Sequence, residues 1–452
     1  MLFAAPLAVY VAVIVLITLR KRSTSADADF FFAGRRLNAI QAFISVLSSE
    51  TSVATTVVFP AAGLTSGYVL LWLVAGYVVG RTIVALFYLR KLYESSRLTI
   101  YQTMTTSHQV LEGSYLLAKY ISGGVRLFIG GYALHQLLGG YTIVWIPVVA
   151  VCAATYSLTG GLKAVVLMDQ VQGALIVGAG VFLCVFLMTR LPTGVKWAPA
   201  FINLNWSQSN FFGALFLGGA VLSIGTHGAD QDMLLRVLAT KNLREARKSL
   251  IFSGVGAAFL IALYLTVGYL LGLLRVADLD PRSPLADYVM KSNLALLKGV
   301  FLVLLLAAAM STLDSTIHST GAVWKSLMNS SLSGRYWSFL SLILITTAAV
   351  CFYSVSGRHE NFLDLAMGCM NYINGGMIGI FTTFTFFPKR LKPAGIPLAL
   401  VSGFVVTTVC EWAFSHPLPW TYTVLLSSGT ALLCCLSASL LTQERPATPG
   451  LL

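Results

Sequence analysis

Long apolar stretches alternate along the 452 residues with short polar and basic connectors. An α-helix rises about 1.5 Å per residue, so roughly twenty apolar residues cross the hydrocarbon core of a bilayer. On that measure the chain holds about thirteen spans, at 2–19, 38–63, 67–90, 112–137, 142–159, 162–189, 210–233, 247–274, 295–325, 336–356, 361–387, 394–414 and 419–442. No basic residue precedes the first stretch, whereas Arg20, Lys21 and Arg22 follow it, so it reads as a retained span and not a cleavable leader. The same flank predicts an N-terminus outside, and thirteen crossings leave the C-terminus in the cytoplasm. The longest polar interruptions are 20–37, 190–209 and 275–294; the last, with Asp278, Asp280, Pro281 and Pro284, reads as a turn-rich cap on the outer face. The tail after Leu441 is too short for a catalytic or signalling domain, so one transmembrane domain over 1–452 is expected.

Composition removes the soluble alternative. Hydrophobic residues make up 57% and charged residues only 10%, where a soluble chain carries roughly 25% charged residues. The formal charge of +13 comes from 30 Lys and Arg against 17 Asp and Glu. The basic residues, among them Arg35, Arg36, Arg90, Lys91, Arg97, Lys241, Arg244, Lys389 and Arg390, fall in connectors on one side of the expected membrane. That is a positive-inside signature and not a nucleic-acid face. The seven cysteines show neither metal-ligand spacing nor a disulfide pattern, and Cys152, Cys184, Cys410, Cys434 and Cys435 read as small buried hydrophobes. Glycine steps at 76–80, 130–131 and 178–180 let helices approach closely.

Ionisable and polar groups at membrane depth are costly, so each is a candidate for function. The second span carries Ser48, Ser49, Glu50, Thr51 and Ser52, then Thr55, Thr56 and Pro60. A break there frees backbone carbonyls, hard oxygen ligands for a small cation; the plainer reading has the hydroxyls bonding back to their own helix. The ninth span carries Ala308, Ser311, Thr312 and Ser315 on one face, with Asp314 beside them and His318 one turn further, spaced for an intrahelical pair with Asp314. Asp169 and Gln170 lie in the sixth span. Gly218, Gly219, Ser223 and Gly225 predict a kink or unwound middle in the seventh, and Asn371, Tyr372 and Asn374 are polar positions in the eleventh.

Four strings together resemble the sodium:solute symporter family, over about residues 28 to 390. They are Asp29-Phe-Phe-Phe-Ala-Gly-Arg-Arg36, the segment from Ser48 to Pro60, Thr159-Gly-Gly-Leu-Lys-Ala-Val with Met168-Asp-Gln170 and Ala229-Asp-Gln231 to Arg236, and Ala307 to Ser315. The resemblance implies an all-α membrane protein with a 5+5 inverted-repeat, LeuT-like core. One leading helix and inner loop (1–37) precede the repeats at 38–189 and 210–387, and two trailing helices follow at 394–442. It implies a sodium ion held by backbone carbonyls of Ser48, Thr51 and Ala308 and the hydroxyls of Ser311 and Thr312. Glu50 and Asp169 are its expected counter-charges, and Asp169, Asp314 and Ser315 a possible second cation position. The resemblance places the solute at mid-membrane, and Ser52, Thr55, Trp72, Ser223 and Asn371 are its lining candidates. Apart from Arg81, expected equally to reach for the inner face, no inward-facing base advertises a carboxylate partner.

The expected function is sodium-coupled import of a small polar organic solute by alternating access in the cell membrane. Its partners are that solute and lipid, with no nucleic acid and no obligatory protein partner evident. Proton coupling through Glu50, Asp314 or His318 is the rival within the same fold. A membrane enzyme using His227, Asp230 or Asp232, or a transporter-like sensor, would be the rival outside it.

Overall fold

A backbone polar group left open in hydrocarbon meets no water, so each apolar stretch closes its own hydrogen bonds as a helix. The computed structural model describes residues 4–20, 27–95, 97–105, 108–276, 278–281, 283–356, 362–413 and 418–441, with only the backbone for 4, 20, 28, 54, 355, 356, 362–371 and 441. The helices are α1 (Ala4–Arg20), α2 (Asp27–Phe32), α3 (Ala39–Glu50), α4 (Val53–Ser66), α5 (Leu71–Ile83) and α6 (Leu89–Glu94). They continue with α7 (Tyr101–Met104), α8 (His108–Leu138), α9 (Thr142–Met188), α10 (Phe212–Gly228), α11 (Gln231–Leu238) and α12 (Leu243–Leu273). The last are α13 (Pro284–Lys291), α14 (Ala295–Leu327), α15 (Gly334–Ser356), α16 (Phe362–Phe386), α17 (Gly395–Trp412) and α18 (Trp420–Leu441). Among the described residues strand pairing is limited to one isolated bridge, Leu37 with Thr240.

Seven helices are long and apolar enough to cross a membrane, and up to nine if α3 with α4 and α10 with α11 each count as one bent span. The thirteen expected spans need, besides these, α1, α8, α16 and a division of α9. That division is physical: 47 residues of α9 would reach about 70 Å as one rod. The chain turns at Gly161, where φ is +61° and a Cβ would sit 2.8 Å from the carbonyl oxygen of Phe30. The aromatic string of the first motif is thus wedged under the turn in α9. Phe30 and Phe31 pack on the His318 ring at 4.7 and 6.3 Å, and Asp27 binds Lys325 at 2.6 Å. Lys163 binds Asp29 as well.

α14 is the central post, packed on α8, α9, α15 and α3, and every side chain from Ala307 to Val323 is buried. Two spans bend beside it, α3–α4 by 72° and α10–α11 by 63°. The first bend falls where expected, at Thr51 and Ser52, both in extended conformation. The second does not. α10 runs unbroken from Phe212 to Gly228, and the chain bends at Ala229 and Asp230, where the Asp230 carboxylate caps α11 by accepting from Asp232 N at 2.9 Å. The glycines read as a kink serve packing instead. A Cβ on Gly219 would lie 2.4 Å from the Leu73 carbonyl, and one on Gly76 would lie 2.2 Å from that of Phe216, so α5 and α10 touch backbone to backbone. Gly178, grouped with the packing glycines, faces open space. Of the cysteines read as buried, Cys184, Cys410 and Cys435 are, whereas Cys152 and Cys434 are half-exposed.

The basic connectors gather at one end of the bundle, here called the basic face; the cap lies at the other. At that second end the 190–211 connector folds over the bundle: Tyr68 N donates to Ala200 O at 2.7 Å and Tyr68 stacks on Phe201 at 5.3 Å. In the 275–294 connector, α13 adds a short helix to the expected turns.

Gly76→Leu should separate α5 from α10, costing more than the about 1–3 kcal/mol of ordinary overpacking and lowering the melting temperature of detergent-purified protein. Gly178→Leu should leave it within a degree or two.

Candidate ion and solute site

The hydroxyl-rich faces of α3 and α14 meet, 263 residues apart in sequence. Ser48 Oγ lies 2.9 Å from Ser311 Oγ, and Thr312 Oγ1 donates to Ser49 O at 3.3 Å and to Ala308 O at 3.1 Å. The Ser48 carbonyl accepts from Thr51 N at 3.1 Å, closing the end of α3. All five residues expected to hold sodium are buried. Back-bonding also occurs: Ser49 donates to Ser45 O at 2.7 Å and Thr51 to Leu47 O at 2.8 Å. The two readings are compatible, because a hydroxyl that gives its proton to its own helix keeps its lone pairs turned outward. The contacts Ser48–Ser311 and Thr312–Ser49 bring the break and the helix face together, and neutral oxygens of these kinds suit a small alkali cation. The residues present therefore fit the ion.

Behind this cluster lies a buried network of charges. Asp169 accepts from Ser311 Oγ at 2.8 Å and from Ser45 Oγ at 2.5 Å, so its carboxylate touches one of the expected sodium ligands. Arg236 donates from Nε to Ser45 Oγ at 2.7 Å and to Asp169 Oδ2 at 3.4 Å, and its Nη1 donates to Asp232 Oδ1 at 3.2 Å. Nη2 reaches Ser315 Oγ. Lys119 continues the chain, 2.7 Å from Asp230 and 3.2 Å from Asp232. Asp314 accepts from Tyr156 OH at 2.6 Å and from Ser315 Oγ at 3.1 Å.

Other expectations change. Glu50 does not turn toward the hydroxyl cluster: it takes both 2.8 Å bonds from Arg81 Nη2 and lies 2.9 Å from His227 Nε2. Its charge is already matched, and Asp169 is the carboxylate beside the cluster. Arg81 is correspondingly buried, donating also to Ser253 at 2.9 Å, and does not extend to the membrane surface. His318 does not pair with Asp314; its Nε2 lies 3.1 Å from Ser157 O, its ring held by Phe30.

Two small cavities lie in the bundle, the first beside the cluster. One, about 10 Å³, is lined by Ser52, Val53, Arg126, Ile129, Ala308, Ala309 and Thr312. The other, about 30 Å³, lies at the α10–α11 bend. Both are of water size. Ser52 lines the first of these cavities. Thr55 instead accepts from Ser52 N at 3.2 Å, stapling the start of α4. Trp72 donates to Phe201 O at 3.1 Å under the cap, away from mid-membrane, and Ser223 donates to Tyr77 O at 3.0 Å, tying α10 to α5. The side chain of Asn371 lies outside the described residues. The expectation that no base faces the site fails at Arg126, which shares a cavity wall with Ala308 and Thr312.

The sodium:solute symporter family model matches residues 30–333. The sodium/sialic acid symporter SiaT of Proteus mirabilis is 21% identical over 428 residues, covering 87% of this chain and 85% of that protein. The human sodium/iodide cotransporter is 22% identical over 446 residues, covering 90% and 68%. The chain also superposes on a solved Na+-coupled sialic acid symporter, substrate-bound and outward-open, with a TM-score of 0.82 at 18% identity, covering 98% of both chains. That likeness establishes the fold, an all-α LeuT-like transporter.

Removing one partner of a buried ion pair typically costs about 3–5 kcal/mol, because the other charge is stranded. Arg236→Ala should therefore lower the melting temperature sharply. Adding Asp169→Asn should recover part of the loss, a coupling that thermal unfolding of the two single variants and the double variant would measure.

Proposed function

Because the chain belongs to the sodium:solute symporter family, we propose that the small solute it carries with sodium is an organic anion, moved by alternating access. It is a multi-pass membrane transporter and not an enzyme, and sodium is its coupling ion. The anion is the finer reading, and Arg126 carries it. An ionisable group at membrane depth marks a candidate for function. This one lines a cavity whose wall includes Ala308 and Thr312, expected ligands of the ion. A planar fork of donors suits a carboxylate, which it can grip in two places. Two similar proteins are named for sialic acid and iodide, both anions.

In the proposed cycle sodium is held by the carbonyls of Ser48, Thr51 and Ala308 and the hydroxyls of Ser311 and Thr312. Its arrival joins the α3–α4 bend to α14 and shapes the wall that Ser52, Arg126 and Thr312 share. The ion stabilises whichever conformation holds these oxygens together, and solute closes the remaining gap. Asp169, Asp314 and Ser315 provide the position of a second cation. The repeats run 38–189 and 210–387, the basic face is cytoplasmic, and the N-terminus lies outside.

A thermal-shift panel on purified protein tests this, with N-acetylneuraminate, lactate, iodide, glucose and proline in sodium or potassium chloride. An anion should stabilise only in sodium, by about 2.7 kcal/mol at a hundred times its Kd. Arg126→Gln should lose that shift and keep the one due to sodium alone, whereas Ser311→Ala with Thr312→Ala should lose both. Stabilisation by glucose or proline that survives Arg126→Gln would remove the anion reading.

A further inference from the structure

α8 carries a second basic side chain on the face of Arg126. Lys119 is seven residues earlier, which on a helix is about 20° short of two full turns and about 10 Å nearer the basic face. Ser122 stands between them, three residues from one and four from the other. Each base lines a cavity of its own. Arg126 lines the one beside the hydroxyl cluster, and Lys119 lines the one at the α10–α11 bend, with Tyr115, Ser122, Thr226, Asp230 and Asn374. That second cavity brings Lys119 and Asp230 together in its wall. The ring of Tyr115 packs under the Lys119 ammonium at 5.6 Å in this wall.

We infer that this second cavity is a release subsite, at which Lys119 takes over the solute's anionic group from Arg126 on its way to the basic face. The inference rests on the anion reading above and adds a residue and a site to it. Lys119 is held at 2.7 Å from Asp230 and 3.2 Å from Asp232. An ammonium is a compact point charge with three rotatable donors and can exchange one carboxylate for another without the fixed geometry of a guanidinium. Asp230 is the cap of α11 at the bend. An incoming anion that displaces it from Lys119 frees the Oδ2 contact between α8 and the bend, while Oδ1 keeps the cap. Asp232 stays bound to Arg236, so the sodium cluster need not be disturbed when the solute steps down.

The test separates binding from turnover in proteoliposomes, with labelled N-acetylneuraminate, lactate and iodide each used as probe. Lys119→Gln should leave sodium-dependent binding within twofold of wild type and slow uptake tenfold or more, and Lys119→Arg should restore the rate to within threefold. Because Lys119→Gln strands Asp230 and Asp232, the double variant Lys119→Gln, Asp230→Asn is measured beside it and should be equally slow. Asp230→Asn alone keeps the lysine while removing its carboxylate partner, and is measured as the control for a latch. A latch without solute contact gives the opposite pattern, with Asp230→Asn as impaired as Lys119→Gln and the double variant near wild type, and that result overturns the inference. So does a Lys119→Gln variant that loses binding together with Arg126→Gln, or one with normal turnover. If wild type binds none of the three anions in sodium, the anion reading itself falls. If it binds one through Arg126 while Lys119 is dispensable, only the release subsite falls.

Discussion

A charge in hydrocarbon must be matched within hydrogen-bond reach, and the centre of this bundle is arranged by that requirement. Lipid tails are as apolar as leucine, so burial alone does not tell one helix face from another. Polar contacts do. Arg236 draws Ser45 of α3, Asp169 of α9, Asp232 of α11 and Ser315 of α14 around one guanidinium. Glu50 gathers Arg81 of α5 and His227 of α10, and Lys119 ties α8 to α11. These knots flank the two bends. A helix interrupted at mid-membrane leaves backbone groups open, and the charges that hold its halves are what make the interruption tolerable.

The same requirement explains what could be read along the chain and what could not. The bend at Thr51 and Ser52 was legible because polar residues crowd a short segment that lipid would reject as a plain helix. The second bend was misplaced because glycine has two uses that sequence does not separate. At Gly219 it admits the neighbouring backbone, while the actual bend at Ala229 and Asp230 is marked by a capping carboxylate. Spacing within α14 correctly put Ala308, Ser311, Thr312 and Ser315 on one face. It could not say which neighbours would supply partners. His318 is one turn from Asp314, yet Ser157 and Phe30 hold its ring.

Arg126 and Lys119 show where the signal was present and outweighed. Both are ionisable groups inside an apolar span, the same mark that singles out Glu50. In a chain of net charge +13 a base is easily absorbed into the positive-inside pattern, which concerns connectors and not span interiors. Trp72 errs in the other direction: an aromatic in a span suggests a solute wall, but its indole N–H needs an acceptor and finds it in Phe201 O under the cap. For such amphipathic rings the polar end decides the depth.

If the solute is an anion, its charge changes the energetics of coupling. One sodium falling through about 100 mV gains about 2.3 kcal/mol, and a tenfold sodium gradient adds about 1.4. With a neutral solute the sum supports roughly a 500-fold accumulation. An anion accompanied by a single sodium moves no net charge, so the voltage drops out and only about tenfold remains. A second cation restores one net charge, and two concentration gradients with one voltage step give roughly 5,000-fold. A recognition residue at one position and a cation at another are therefore linked in function although they need not touch. On the anion reading, the solute's charge sets how much a second cation is worth. Asp314, a carboxylate with no ion pair among the described residues, sits beside Ser315, on whose oxygen Arg236 and Ser49 also converge. A second cation there would meet the Asp314 carboxyl where Tyr156 and Ser315 bind it.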